Sequence, residues 1–463
     1  MRSAWLSTFV VLTVGCGTVT ETPVDASDAS APTDGPTADV PTTCTPNTTT
    51  CSGMVLTECD GSGNPTNTAC VFGCATSSDR CADLAPSNGL AGQLDQADNA
   101  GPVTLTGPVV IDTTAQTVTD NGTAVVVQSA VVTGGPVDIF VIRASSFTSG
   151  AISVRGTRAL AIVAAGDVTL TGVLSVSADF QVAGPGAIVT AQPCKGAIGN
   201  HVGTGYSGGG GGGFGTAGGA GGVGGSAAGG AGGMVAGDPT LVPLRGGCGG
   251  GLFPGTEGTL PENSHPGAGG GAVQISARGT VRLTPGAFVA ANGGGAKGYT
   301  GSNNIFCIID GLCDAGSGGG SGGAILIEAG SLAIDPTGGL VANGGSGHIG
   351  LRGRASNGLV SETAAPGTVA GSVGGGDGAA GTLPARAGTG AREGGGGGGG
   401  AGPHRSWVGA VGQHGLGPDL HVGEEPLVPP QQAPLDQRRR AVDHLRPITG
   451  GAIAVTASRR RRP

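Results

Sequence analysis

The residue pattern predicts an all-β chain: a small disulfide-rich module followed by a β-solenoid, a parallel β-helix-like stack with glycine-rich loops. An antiparallel β-sandwich is the alternative. Three observations predict it. Short runs rich in Val, Ile and Thr, such as Val109-Val110-Ile111 and Ile139-Phe140-Val141-Ile142, are punctuated by Gly, Asn and Asp and carry no 3.6-residue period. Six cysteines crowd into residues 44–81. Two long segments repeat one another, GGAVQISARGTVRLTPGAFVAANGG (270–294) and GGAILIEAGSLAIDPTGGLVANGG (322–345).

Composition narrows the choice further. The 463 residues include 100 glycines and 29 prolines, without the strict period a collagen triple helix requires. Residues 1–400 hold 14 Lys and Arg against 26 Asp and Glu, so the main body is acidic. Phosphate binding needs a concentrated basic face, which argues against a nucleic-acid partner.

The elements follow in chain order. Arg2 precedes an apolar run from Ala4 to Val14 that ends at Gly15-Cys16, the pattern of a signal peptide over 1–15. The run is too short to span a bilayer as a helix. Leu12-Thr13-Val14-Gly15-Cys16 resembles a bacterial lipobox, with Thr13 departing from the usual leucine. The resemblance implies lipidation at Cys16, and Gly17 after it favours the outer membrane over the inner one. An ordinary cleavable signal and a secreted protein form the alternative. Residues 16–43 are dominated by Thr, Pro, Ala, Ser and Asp, lack Lys and Arg, and read as a solvated stalk.

The module at 44–84 spaces Cys44, Cys51, Cys59, Cys70, Cys74 and Cys81 as C-x6-C-x7-C-x10-C-x3-C-x6-C. In an exported chain this predicts three disulfides, in any of 15 pairings. Cys194, Cys248, Cys307 and Cys313 supply two more, with Cys307 and Cys313 as a local pair. No C-x2-C occurs and no histidine precedes His201, so neither a metal nor any other cofactor is expected.

Residues 99–390 form the predicted solenoid. Each repeat reads strand, turn, strand, turn, strand, Asn-Gly-Gly, and a worn copy occupies 161–177. A single rung leaves an apolar face exposed, and stacking buries it. The glycine tracts 208–213 and on to 233, 316–323 and 371–381 are expected as surface loops between rungs. Residues 391–463 form a glycine run and a basic tail with nine Arg after residue 400, expected to be disordered or the product of a frameshift.

The lipobox, the acidic stalk, the cysteine module and the GGA-x-x-I-x-A…ANGG repeats together resemble the glycine-rich surface lipoproteins of GC-rich predatory soil bacteria. That resemblance covers about residues 1–400, is architectural, and implies location rather than activity.

Ser207 and Ser321 each sit in a G-x-S-x-G pattern, but neither is followed by the helix a nucleophile elbow requires. His201, His265 and His348 lie in loop-like sequence and are expected to be solvated. Asp112, Asp138, Arg143, Arg155, Arg158 and Asp167 are the charges that a carbohydrate-cleaving solenoid would use; solvent-facing strand and turn positions account for them. The sequence therefore points to a lipid-anchored cell-surface protein with a structural or adhesive role and no catalytic activity. Its expected partners are the membrane, through the N-terminal lipid, and a surface polysaccharide or protein. A carbohydrate-active enzyme and a glycan- or protein-binding module are the alternatives.

Overall fold

In the computed structural model the described residues are 44–75, 77, 79–188, 193–254, 265–297, 315–349, 354–370, 372–390 and 394–408. Cys16, Cys307, Cys313 and residues 409–463 lie outside them. The protein is nearly all β, 2% helical and 34% strand.

The cysteine module is a three-stranded antiparallel sheet of β1 (Thr49–Ser52), β2 (Val55–Cys59) and β3 (Pro65–Ala69). A short helix, α1 (Ala91–Ala97), follows. The next twelve strands are β4 (Val103–Leu105), β5 (Val109–Asp112), β6 (Thr117–Asp120), β7 (Thr123–Val125), β8 (Gln128–Val132), β9 (Ile139–Ala144), β10 (Phe147–Ser149), β11 (Ile152–Arg155), β12 (Ala159–Ala164), β13 (Val168–Leu170), β14 (Leu174–Ser175) and β15 (His201–Val202). The rest are β16 (Gly205–Tyr206), β17 (Ala272–Leu283), β18 (Phe288–Ala290), β19 (Ala324–Ile334), β20 (Gly339–Val341), β21 (Val369–Ala370), β22 (Val373–Gly374) and β23 (His404–Val408).

Most of these strands belong to two mixed, curled sheets whose central ladders are parallel. The repeats stack in register: Ala161 pairs Gln274, which pairs Leu326, and Leu174 pairs Val289, which pairs Leu340. Identical rows result, as in Ile142, Ile162, Ile275 and Ile327 along β9, β12, β17 and β19. These isoleucines lie in one apolar core with Phe140, Phe147, Leu170 and Leu283. Side chains alternate across a strand, so the opposite face of the same four strands carries Val141, Ala161 and Leu326. That face packs on Leu84, Leu90, Leu94, Phe214, Leu241 and Leu244, which closes α1 and the preceding linker onto the sheet. At one end antiparallel strands cover the ladders, β6 over β5 and β8 over β9.

The glycine tracts form a second architecture, and here the expectation of surface loops is overturned. Segment 394–402 shows the rule. The N–H groups of Gly394, Gly397 and Gly400 donate to Tyr206, Gly209 and Gly212. Those of Gly395 and Gly398 donate to Thr389 and Arg386, and those of Gly396, Gly399 and Gly402 to His348, Gly345 and Ala342. Direction changes at every residue and recurs at every third. This is the screw of a polyproline II helix, which has three residues per turn and no internal hydrogen bonds.

The carbonyls follow the same screw. Gly394, Gly397 and Gly400 accept from Gly316, Gly319 and Gly322; Gly395 and Gly398 from Gly222 and Gly219; Gly396 and Gly399 from Gly376 and Ala379. One segment thus bonds to six neighbours, at donor–acceptor distances of 2.7 to 3.0 Å. At the centre, 208–213 donates to 316–319, 316–322 donates to 394–400, and 394–400 donates back to 206–212. All three segments are buried throughout. The lattice satisfies the backbone in three directions, which is how so many peptide groups can be buried without a sheet.

Packing this close leaves no room for side chains. A Cβ at Gly211, Gly319 or Gly397 would fall within 3.0 Å of a carbonyl on a neighbouring segment. Outer segments relax the rule on one side. Over 217–223 and again over 228–234, on either side of a turn at 224–227, every third residue is not glycine, and these residues, Ala217, Ala220, Val223, Ala228, Ala231 and Met234, are exposed while most of the glycines between them are not. The lattice also extends past the boundary expected at 390: Gly394–Gly402 run through its centre, and His404–Val408 pair in parallel with β19.

Candidate functional site

Every cysteine among the described residues is disulfide-bonded. The pairs are Cys44–Cys59, Cys51–Cys74, Cys70–Cys81 and Cys194–Cys248. The first three realise one of the 15 pairings the sequence left open. The fourth links two lattice segments. Inside the module the sulfurs of Cys51, Cys70 and Cys74 all lie within 4.8 Å of one another. Zinc coordination requires thiolates, whereas these three sulfurs are committed to the Cys51–Cys74 and Cys70–Cys81 bonds.

Of the six charges considered for sugar cleavage, four form two ion pairs, Asp112 with Arg155 and Asp138 with Arg158, and Arg143 and Asp167 bind uncharged groups. Asp112 accepts from the Arg155 guanidinium at 3.0 Å and from Ala115 N–H at 2.9 Å. The Ala115 N–H is the largest cause holding its carboxyl below the usual range; Arg155 adds to it. Arg158 donates to the carbonyls of Thr113 and Thr114 and lies 3.7 Å from Asp138. Arg143 meets Gln96 and donates to Ser129 O at 3.0 Å. Asp167 accepts from Thr280 N–H at 2.7 Å, fixing the bend within β17.

Both G-x-S-x-G serines belong to the lattice. The Ser207 hydroxyl donates to Ala228 O at 2.7 Å and accepts from Asn200 N–H at 2.6 Å. Ser321 Oγ accepts from Cys248 N–H at 2.9 Å. Each hydroxyl stands in for a lattice contact. Of the histidines expected to be solvated, His201 is exposed and stacks on Tyr206 at 4.1 Å between ring centroids. His348 departs from expectation: it is 1% exposed, and burial pushes its pKa down to about 4. It sits in the lattice segment that accepts from Gly396, where the glycine-dominated sequence suggested a loop.

Two polar clusters were missed by sequence reasoning. Glu328, 6% exposed, accepts from the Ser87 hydroxyl at 2.5 Å, from Ser87 N–H at 3.1 Å, from Gln274 Nε2 at 2.7 Å and from Ser276 Oγ at 3.1 Å. Asn88 extends this network to Gln274 Oε1 and to Leu244 N–H. Nearby, Arg278 forks onto Asp83 and reaches Asp98. These hydrogen bonds, Asp83 foremost, raise its already high pKa. The two clusters bolt residues 83–98 to the sheet. The available signal was Ser276 and Glu328 at matching positions in otherwise apolar repeat strands, where a polar residue requires a partner.

One outer face of the lattice is uncharged. Residues 196–237 contain no Asp, Glu, Lys or Arg. On adjoining segments they expose Ile198, Val223, Met234 and Val235 at 51–63%. No family model, curated protein or solved structure matches this chain.

Proposed function

We propose that the protein is a lipid-anchored cell-surface protein whose body serves a structural or adhesive role without catalysis. The leader and stalk carry it outside the cell, Cys16 bears the lipid, and the outer membrane or cell surface is its location. The body is a β-solenoid whose rungs are continued by a polyglycine lattice. In-register parallel ladders on several faces of the stack support the solenoid, and glycine segments entering or leaving its later rungs support the coupling. The observation that carries the function is the material of the body. Its centre is held by backbone hydrogen bonds from each segment to six neighbours, an arrangement suited to bearing load and holding shape. The uncharged outer face bearing Val223 and Met234 is the surface proposed for adhesion to a surface polymer.

The test is made in the native cell. Cys16→Ser should move the protein from the membrane fraction to the soluble fraction and abolish fatty-acid labelling. Val223→Asp with Met234→Asp should lower cell-to-surface adhesion without changing the amount displayed. Unchanged membrane retention in the first variant would overturn the anchor. Release of reducing sugars from a polysaccharide panel by the purified protein would overturn the non-catalytic role.

A further inference from the structure

The four inner cysteines of the module are placed for more than one pairing. Cys51 Sγ and Cys70 Sγ belong to different disulfides and approach to 3.5 Å. The other two sulfurs, on Cys74 and Cys81, belong to residues that form an antiparallel bridge. Ala75 N–H donates to Arg80 O and Ala82 N–H to Gly73 O, flanking that bridge on both sides. This makes Cys74 and Cys81 a non-hydrogen-bonded pair, in which Cα atoms approach to about 4.5 Å and side chains lean together. Such a separation lies inside the range a disulfide spans. The same four sulfurs can therefore be joined as Cys51–Cys74 with Cys70–Cys81, or as Cys51–Cys70 with Cys74–Cys81.

Exposure divides the set. Cys51 and Cys70 are buried, at 8% and 0%, while Cys74 and Cys81 are half-buried. We propose that this cluster is a thiol–disulfide exchange site for small thiols of the cysteine or glutathione class. The external thiolate attacks Cys74 Sγ, forms a mixed disulfide there, and expels Cys51 as thiolate. Cys51 attacks Cys70 Sγ at 3.5 Å, forming Cys51–Cys70 and expelling Cys81 as thiolate. Cys81 then attacks Cys74 Sγ, forming Cys74–Cys81 and returning the external thiolate. Three bonds form and three break, no net oxidation occurs, and the small thiol is regenerated. Attack that begins at Cys81 runs through the same bonds in mirror order. Cys44–Cys59 takes no part and serves as the internal reference.

The experiment uses the full chain, incubated anaerobically with reduced glutathione, quenched with an alkylating reagent, digested without reduction and mapped by mass spectrometry. The expected peptides join Cys51 to Cys70, with glutathione on one of Cys74 and Cys81 and the alkyl label on the other, or with Cys74 joined to Cys81. Cys44–Cys59 stays intact throughout. Label on Cys51 or Cys70 would overturn the proposal, because it would show that the expelled thiolate is not passed on. Recovery of only the original pairs would overturn it too, as would scrambling that draws in Cys44 and Cys59. The double variant Cys70→Ala, Cys81→Ala removes the acceptor bond; there the label should shift to Cys51, and its failure to do so would also count against the route.

Discussion

Replacing Gly397 by alanine tests the lattice at its centre. The Gly397 N–H donates to Gly209 O at 2.9 Å, and its carbonyl accepts from Gly319 N–H at 2.9 Å. An added Cβ would point at Gly219 O, closer than 3.0 Å, so segment 217–224 must move away. That movement stretches the bonds from Gly219 N–H to Gly398 O, 2.8 Å, and from Gly222 N–H to Gly395 O, 2.7 Å. Two weakened backbone bonds cost about 2–3 kcal/mol, and overpacking adds about 1–3 kcal/mol. Restricting the unfolded chain returns only about 0.4–1 kcal/mol. The net expectation is a loss of about 2–5 kcal/mol. Urea unfolding followed by circular dichroism reads it, with the slope compared to confirm that one transition is observed. Ala220→Gly, at an outward position of the same interface, is the control and should change stability by under about 1 kcal/mol. A Gly397→Ala protein as stable as this control would refute the lattice.

The remaining predictions concern single buried groups. Glu328→Ala removes the carboxylate that accepts from Gln274 Nε2, Ser276 Oγ and Ser87 N–H and should cost about 2–4 kcal/mol in urea unfolding; a change under about 0.5 kcal/mol would show that the linker is not held by it. His348 is neutral when folded and titrates near 6.5 when unfolded, with a folded value of about 4. Its contribution is therefore complete above pH 6.5 and lost as pH falls through 4, at most about 3 kcal/mol. His348→Asn should flatten the stability profile in that window, and an unchanged slope would contradict the burial. Cys194→Ser with Cys248→Ser opens a link across 54 residues and should cost about 4 kcal/mol on the chain-entropy account; equal urea midpoints would refute its structural role. Arg278→Met should cost about 1 kcal/mol, in a salt-dependent manner and with faster amide exchange over Ala91–Ala97; unchanged exchange there would separate α1 from the cluster.

How legible this fold was in the sequence follows from the period of each part. Strands announce themselves through side chains, so Ile139-Phe140-Val141-Ile142 and the two GGA repeats marked positions that the ladders bear out. The cysteine count likewise fixed three bridges, though pairing depends on where β1 to β3 bring the sulfurs together and could not be read off. Glycine tracts announce nothing by side chain, and habit assigns them to loops. Their signal was the period of three in 217–223 and again in 228–234, where one residue in three faces outward. His348 is hidden for the same reason, since a histidine set among glycines reads as solvated until the glycines prove to be core. The six charges occupy strand and turn positions; their partners lie from 3 residues away, as Ala115 does from Asp112, to 113, as Thr280 does from Asp167, so sequence spacing does not reveal them.

The two architectures constrain one another through the points where they join. Gly271 ends a lattice segment and Ala272 begins β17; Gly323 and Ala324 do the same for β19, and Pro403 alone separates Gly402 from β23. A lattice segment repeats every three residues and a strand every two. An added residue in 316–323 would therefore turn every following donor by a third of a turn and also flip β19 to put Ile325 and Ile327 on the wrong face. Neither fault can be repaired without creating the other, because a shift that restores one period breaks the second unless it is a multiple of six. Register in the stack is thus fixed from both sides at each join. The conspicuous monotony of the glycine tracts conceals a length requirement as strict as the one on the apolar rows.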